Sequence, residues 1–185
     1  MRGVTSGQPT AFGIDIGGSG MKAAPVDLIT GTLTADRHKI LTPQPSTPEA
    51  MAEVVRRLVE HFEWEGNVGV AFPAVVRNGV ARTAANIDKS WIGTDIDAVF
   101  TKASGQPVHV INDADAAGLA EMRYGAGRGR DGVVIMLTFG TGIGSGFFLD
   151  GKLVPNTELG HLLLDGQEAE HRAAAVIRDR EHLSW

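Results

Sequence analysis

Ala11-Phe12-Gly13-Ile14-Asp15-Ile16, then Gly17-Gly18-Ser19-Gly20, then the run from Met21 to Leu28, reads as a strand, a glycine turn and a second strand. A shift of 123 residues lays Asp15-Ile16-Gly17 on Thr138-Phe139-Gly140, and Val26-Asp27 on Leu149-Asp150 without a gap. Two unrelated glycine hairpins could coincide in this way. The more informative expectation is a duplicated α/β fold whose two hairpins face each other across a cleft.

Outward from the first hairpin, Leu33 to Leu41 reads as a third strand. Ser46-Thr47-Pro48-Glu49 opens a helix, with a Ser/Thr cap, Pro in the first turn and Glu at capping-box spacing. Met51, Val54, Val55, Leu58, Val59 and Phe62 continue it as one apolar stripe. Val68 to Phe72 reads as a buried strand, and Val75 to Ala81 as a hairpin turning at Asn78-Gly79 with type I′ geometry. A short helix over 95–103, a β-branched run over 107–111 and an alanine-rich helix over 114–124 follow, an α/β alternation. Val133 to Leu137 leads into the glycine loop 138–146, Phe147 to Leu149 closes a hairpin at Asp150-Gly151, and Glu168 to Leu183 reads as one charged amphipathic helix.

Composition narrows the function classes. The chain has 185 residues, 43% apolar and 21% charged, which is enough to bury a core and excludes disorder. No cysteine is present, so disulfides, thiolate metal sites and cysteine nucleophiles are excluded. The apolar run Val133 to Leu137 is far short of the about 20 residues of a membrane span, and no signal-peptide core follows Met1. A soluble cytoplasmic protein is expected, with no membrane partner. The net charge of -5 argues against general nucleic-acid binding. Glycine supplies 24 residues, many more than the usual share of about 7%.

Glycine turns suit phosphate, because no Cβ blocks the approach of backbone N–H groups and positive φ values that aim them are accessible. In the first turn, Gly17, Gly18 and Gly20 are joined by the Asp15 carboxylate, suited to Mg²⁺, the Ser19 hydroxyl and the Lys22 charge. Either turn alone could be a plain structural hairpin. Gly127-Arg128-Gly129-Arg130-Asp131-Gly132 matches a dinucleotide pattern but follows a helix and precedes a strand, so it reads as a loop; a Walker sequence is missing. Asn112-Asp113-Ala114-Asp115 lies where a strand gives way to a helix, the edge at which α/β sheets bind ligands. A carboxylate there can take the proton of an attacking hydroxyl, which favours Asp113 as a base; a helix N-cap is the alternative, and the preferred reading for Asp115. Asn86-Ile87-Asp88-Lys89-Ser90-Trp91 and Glu158-Leu159-Gly160-His161 place hydrogen-bonding groups in loops, as a sugar's hydroxyls require. A turn role for Asn86, a core role for Trp91 and a structural role for His161 are the alternatives.

Together, Phe12 to Lys22, Asn112-Asp113, Gly140-Thr141-Gly142-Ile143-Gly144 and Glu158-Leu159-Gly160-His161 resemble the ROK group of sugar kinases and repressors. Thr42 to Pro48, Ala85 to Gly93 and Pro155 to His161 are similar to its polyphosphate glucokinase branch. The resemblance implies an α/β, actin-like (ribonuclease H-like) sugar kinase fold of two lobes, 1–112 with the first phosphate turn and 113–185 with the second. It implies phosphoryl transfer from inorganic polyphosphate or ATP to the 6-hydroxyl of glucose with Mg²⁺. Asp113 would be the base, Asn86, Asn112, Glu158 and His161 would hold the sugar, and Asp15 the metal. Thr138, Gly140, Thr141, Gly142 and Gly144 would form the second phosphate turn. Arg123, Arg128, Arg130 and Lys152 are candidates for a polyphosphate path or ordinary solvated charges. Without cysteine, the zinc site of many ROK proteins is not expected. Fourteen residues before Asp15 leave no room for a repressor's helix-turn-helix. Relatives in this group continue beyond Trp185 and are commonly homodimers, so an incomplete second lobe is expected. A non-catalytic sugar-binding or regulatory fragment is the alternative function.

Overall fold

Strand β1 (Thr10–Gly17) turns Phe12, Ile14 and Ile16 into a core and leaves Asp15 exposed on its other face. This is the period-2 alternation expected of a half-buried strand. In the computed structural model, which describes residues 9–184, the chain divides into two units, Met1–Asn112 and Asp113–Trp185.

In the first unit, β2 (Gly20–Asp27) returns antiparallel to β1 through a two-residue turn, with Gly17 opposite Gly20 and Asp15 opposite Lys22. Strands β3 (His38–Ile40), β4 (Val68–Phe72) and β7 (Val108–Asn112) complete the order β3-β2-β1-β4-β7, in which β4 and β7 run parallel to β1. Registered rows such as Phe12–Val68–Val108 build the sheet side of the core. Helix α1 (Pro48–His61) adds Met51, Val54, Val55, Leu58 and Val59, all buried, and α2 (Ile96–Ser104) adds Ile96 and Phe100. Full burial of a side chain such as Leu58 contributes about 1.5–3 kcal/mol. Between them lies the hairpin β5 (Val76–Arg77) and β6 (Val80–Ala81), where Asn78 and Gly79 take φ of 51° and 74°, as a type I′ turn requires.

Several sequence expectations change in this unit and the next, each for a local reason. The α1 cap is Thr47, whose hydroxyl accepts the Ala50 N–H at 3.3 Å, so Glu49 falls one residue short of the capping-box position. Ser46 instead accepts Trp91 Nε1–H at its carbonyl, 2.8 Å, and Asp88 N–H at its hydroxyl, 3.1 Å. The third strand spans only His38–Ile40. Pro25 accepts the Thr34 N–H at 2.9 Å but has no N–H to return, and the Asp27 carboxylate holds Ile29 and Thr30 in a turn. The helix expected over 168–183 is two short pieces, α4 (Glu170–Ala173) and α5 (Ala175–Glu181). They are separated by Ala174, which is extended at ψ 154° and fully buried. Burying that one alanine fixes the break.

In the second unit, helix α3 (Asp113–Tyr124) packs on β9 (Ile143–Leu149), the middle strand of the order β10-β9-β8, with β8 (Val133–Phe139) and β10 (Lys152–Val154) beside it. Gly118 and Gly146 make the approach possible. A Cβ on Gly146 would lie 3.2 Å from Gly118 Cα, and one on Gly118 would lie 2.9 Å from the Phe148 ring. A small hairpin, β11 (Leu163–Leu164) and β12 (Gln167–Glu168), follows. The glycine loop is shorter than expected, because β9 begins at Ile143. The register also departs from a strict 123-residue repeat, since Thr138 faces Gly144 where the repeat would place Ser145.

β8 repeats β1 in sequence position but not in burial. Phe12, Ile14 and Ile16 are 0%, 2% and 1% exposed, whereas Ile135, Leu137 and Phe139 at the shifted positions are 50%, 45% and 43% exposed.

Thr47→Ala is expected to lower stability by about 1 kcal/mol through loss of the cap. Gly118→Val should cost about 1–3 kcal/mol by forcing α3 off β9. Urea unfolding of each variant against the parent checks both, and a neutral Gly118→Val would show that the helix has room to give.

Candidate active site

The first glycine turn is a minimal one. Gly18 has nothing within 4 Å of where a Cβ would project, so its backbone stands open to a ligand. The Gly17 carbonyl accepts the Thr42 hydroxyl at 2.5 Å, tying the turn to the segment after β3. Asp15 and Lys22, cross-strand neighbours, pair at 3.6 Å between Oδ2 and Nζ, both exposed. An exposed pair of this kind contributes little to stability, which leaves both groups available to a ligand. Asp15 offers a hard oxygen donor at the turn, and one carboxylate beside substrate phosphates is an ordinary Mg²⁺ donor set.

The second turn comprises Gly140, Thr141 and Gly142, with Phe139 opposite Ile143. Gly140 is open on its Cβ side, and its N–H closes onto the Gly142 carbonyl at 3.0 Å. Neighbours press on Gly144, whereas Gly142 meets only the far end of one flexible side chain. A Cβ would lie 2.5 Å from Glu170 Oε2 at Gly142 and 2.5 Å from Thr138 Oγ1 at Gly144. None of the glycines of either turn has a positive φ. The expected left-handed conformations are therefore replaced by close approach and open access. Glu170 Oε2 accepts the Ile143 N–H at 3.3 Å, so a carboxylate already occupies one amide at this turn.

Asp113 heads α3 and is exposed. Its Oδ1 accepts the N–H of the next residue, Ala114, at 2.9 Å, which is not the geometry of a helix cap. Asp115, expected to be a cap, is 1% exposed within the first turn. Its Oδ2 instead accepts the Asn156 N–H, 41 residues away, at 2.9 Å. Burial is the main cause that raises the Asp115 pKa, partly opposed by that bond.

Asn156 leads to Glu158, and both take left-handed backbone conformations, φ 56° and 47°. Such strain at non-glycine residues costs on the order of 1–3 kcal/mol each and persists only where neighbours fix it. Besides Asp115, buried Ser145 fixes it: its Oγ accepts the Leu159 N–H at 3.0 Å and lies 3.2 Å from Thr157 Oγ1. Gly160 seats the following turn, since a Cβ there would meet the Ile143 carbonyl at 2.3 Å. Burial raises the Glu158 pKa above 4.5; His161 lowers it, and Asp113, Asp115 and Glu170 raise it further. Glu158 and His161 are close neighbours in the unit that Asp113 opens. His161 Nε2 lies 3.7 Å from Glu158 Oε2, and His161 Nδ1 lies 3.0 Å from Glu168 Oε2. The Glu168 bond, together with nearby Glu170 and Glu158, raises the His161 pKa above 6.5 against a smaller desolvation effect. Among the described residues, His161, Glu168 and Glu170 form a group whose possible metal-ligating atoms lie within 4.8 Å of one another. The His161–Glu168 hydrogen bond accounts for that proximity.

Asn86, Trp91 and Asn112 belong to the first unit. Asn86 is exposed in the loop before the 3₁₀ turn Lys89–Trp91. Trp91 is a core aromatic, edge-on to Phe72 and Phe100 at 4.9 and 5.5 Å. Asn112, at the end of β7, is buried, and its Nδ2 donates to the Ala74 carbonyl at 3.1 Å. Sequence reasoning missed Glu170 at the second turn and the anchoring role of Asp115. The Asp165-Gly166 pair after three leucines is a hairpin signal that separates Glu168 from the helix that follows.

Comparison with known proteins bears on all of this. The sequence pattern of the ROK family matches residues 11–175. The polyphosphate glucokinase of Mycobacterium tuberculosis (strain ATCC 25618 / H37Rv) is 56% identical over 179 residues, 96% of this chain and 68% of that protein. That of Mycobacterium leprae (strain TN) is 53% identical over 98% of this chain and 56% of its own length. The crystal structure of an inorganic polyphosphate/ATP-glucomannokinase from Arthrobacter sp. strain KM superposes with a TM-score of 0.88 at 55% identity, covering 95% of this chain and 72% of that one. A ROK family glucokinase from Streptomyces griseus, solved with glucose and AMPPNP, gives 0.78 at 31% identity, covering 93% and 59%. No helix among the described residues is long and apolar enough to cross a membrane. Matched by the family pattern over residues 11–175 and 56% identical to a polyphosphate glucokinase over 96% of its length, this chain belongs to the ROK family.

Proposed function

We propose that the chain carries the chemistry of a glucokinase, transferring a phosphoryl group from inorganic polyphosphate or ATP to the 6-hydroxyl of glucose. The observation that supports this best is the placement of Asp113, exposed at the head of α3, and of Glu158 3.7 Å from His161, in a chain 56% identical to polyphosphate glucokinases. In this reading residues 1–112 carry the first phosphate turn and 113–185 the second. Asp113 takes the proton of the glucose hydroxyl as its oxygen forms the new bond to phosphorus and the donor's bridging oxygen leaves. Asn86, Asn112, Glu158 and His161 are the candidates to hold sugar hydroxyls. Gly17 to Gly20 with Lys22, and Thr138 with Gly140 to Gly144, hold phosphate oxygens through backbone amides and charge. Asp15 would hold Mg²⁺, which when bound neutralises charge on the donor's phosphates. For an anion to use the Ile143 amide, Glu170 must first release it. That bond favours a second reading, sugar binding without transfer.

A coupled assay for glucose 6-phosphate with each donor, beside glucose calorimetry, separates the two. Product with either donor supports the kinase; binding without product supports the second reading. Asp113→Asn should lower kcat by at least about a hundredfold while glucose affinity stays within a few fold. A variant that turns over normally removes Asp113 from the base role. Ionised Glu158 accepts hydroxyl protons better than its neutral form, and burial and its acidic neighbours hold its pKa above 4.5. Glucose affinity should therefore be full above that raised pKa and fall as pH drops through it. Calorimetry across pH on the parent and on Glu158→Gln checks this, the variant showing weaker binding without the acid limb.

A further inference from the structure

We propose that Asp115 is a positioning residue for sugar binding: through the Asn156 amide, and together with Ser145, it fixes Glu158 relative to Asp113. The inference rests on the glucokinase reading and deepens it.

Asp113 and Asp115 lie two residues apart in the first turn of α3, one exposed and one buried. The helix therefore presents the base outward while its inner side reaches the loop that carries Glu158. Two left-handed residues bracket Thr157 in that loop, and neither is glycine. Such a segment relaxes to ordinary backbone angles unless its amides are held. The holds come from two directions: the Asp115 carboxylate at Asn156 N–H, 2.9 Å, and the Ser145 hydroxyl at Leu159 N–H, 3.0 Å. Both side chains are buried, at 1% and 4% exposure, so water competes poorly for these bonds. α3 and β9, which carry the two acceptors, are in turn joined at the Gly118–Gly146 contact. A single packed layer thus sets the base and both anchors of the sugar-binding carboxylate. What the loop needs from position 115 is an acceptor oxygen for the Asn156 amide.

The test compares Asp115→Asn with Asp115→Ala. Asparagine keeps an oxygen for the Asn156 amide and alanine does not. In glucose kinetics, Asp115→Ala should raise KM at least about tenfold with kcat at saturation within about threefold, while Asp115→Asn should stay within about threefold of the parent in both. Hydrogen exchange at the Asn156 amide should speed up in the alanine variant and stay near the parent rate in the asparagine variant. Exchange along the rest of α3 should not change. If Asp115→Ala fails to fold, Ser145→Ala takes its place, with faster exchange at Leu159 and the same KM-weighted loss. Equal damage from the asparagine and alanine variants, or parental KM and Asn156 exchange in Asp115→Ala, overturns the proposal. A parent chain that neither binds nor phosphorylates glucose overturns the functional reading, and the exchange measurements then still decide whether Asp115 holds the loop.

Discussion

The contact of Gly118 with Gly146 is the constraint on which the second unit depends. Wherever two backbones come this close, side chains are excluded from both, and the elements behave as one body. Here that body carries Asp113 and Asp115 on the helix and Ser145 on the strand. From it the chain reaches outward to Glu158 and His161, whose loop would otherwise have little reason to hold its backbone angles. Precision at the acidic group is therefore bought with two glycines that bear no chemistry.

Charge within that group is arranged unevenly. Glu158 sits among Asp113, Asp115 and Glu170, which hinder its ionisation, and beside His161, which favours it. His161 in turn gains its proton affinity first from Glu168. The histidine is thus both a possible sugar ligand and a local counterweight in an acidic neighbourhood. A substitution at His161 alters the Glu158 carboxylate as well as any contact of its own.

Much of the fold was legible because its signals are local. The Asn78-Gly79 turn, the α1 stripe from Met51 to Val59 and the two glycine hairpins each follow from spacing and residue type. The candidate base was legible too, as an acid at a strand-to-helix junction. What escaped was long-range. Asp115 looks like a cap until its partner 41 residues away is known. The crowding at Gly144 comes from Thr138 and Ala114 rather than from backbone angles. The break at Ala174 depends on burial that no periodicity reports.

The strand β8 carries a consequence of another kind. Val133 to Phe139 contains no charged residue, lies at the margin of its three-stranded sheet and leaves Ile135, Leu137 and Phe139 half in water. Natural sheets usually guard such a margin with lysine, proline or a bulge. The net charge of -5 gives little repulsion at long range, because salt screens it beyond about 8–10 Å. At contact distance the half-exposed apolar side chains on this open edge are one surface that favours association in concentrated solution.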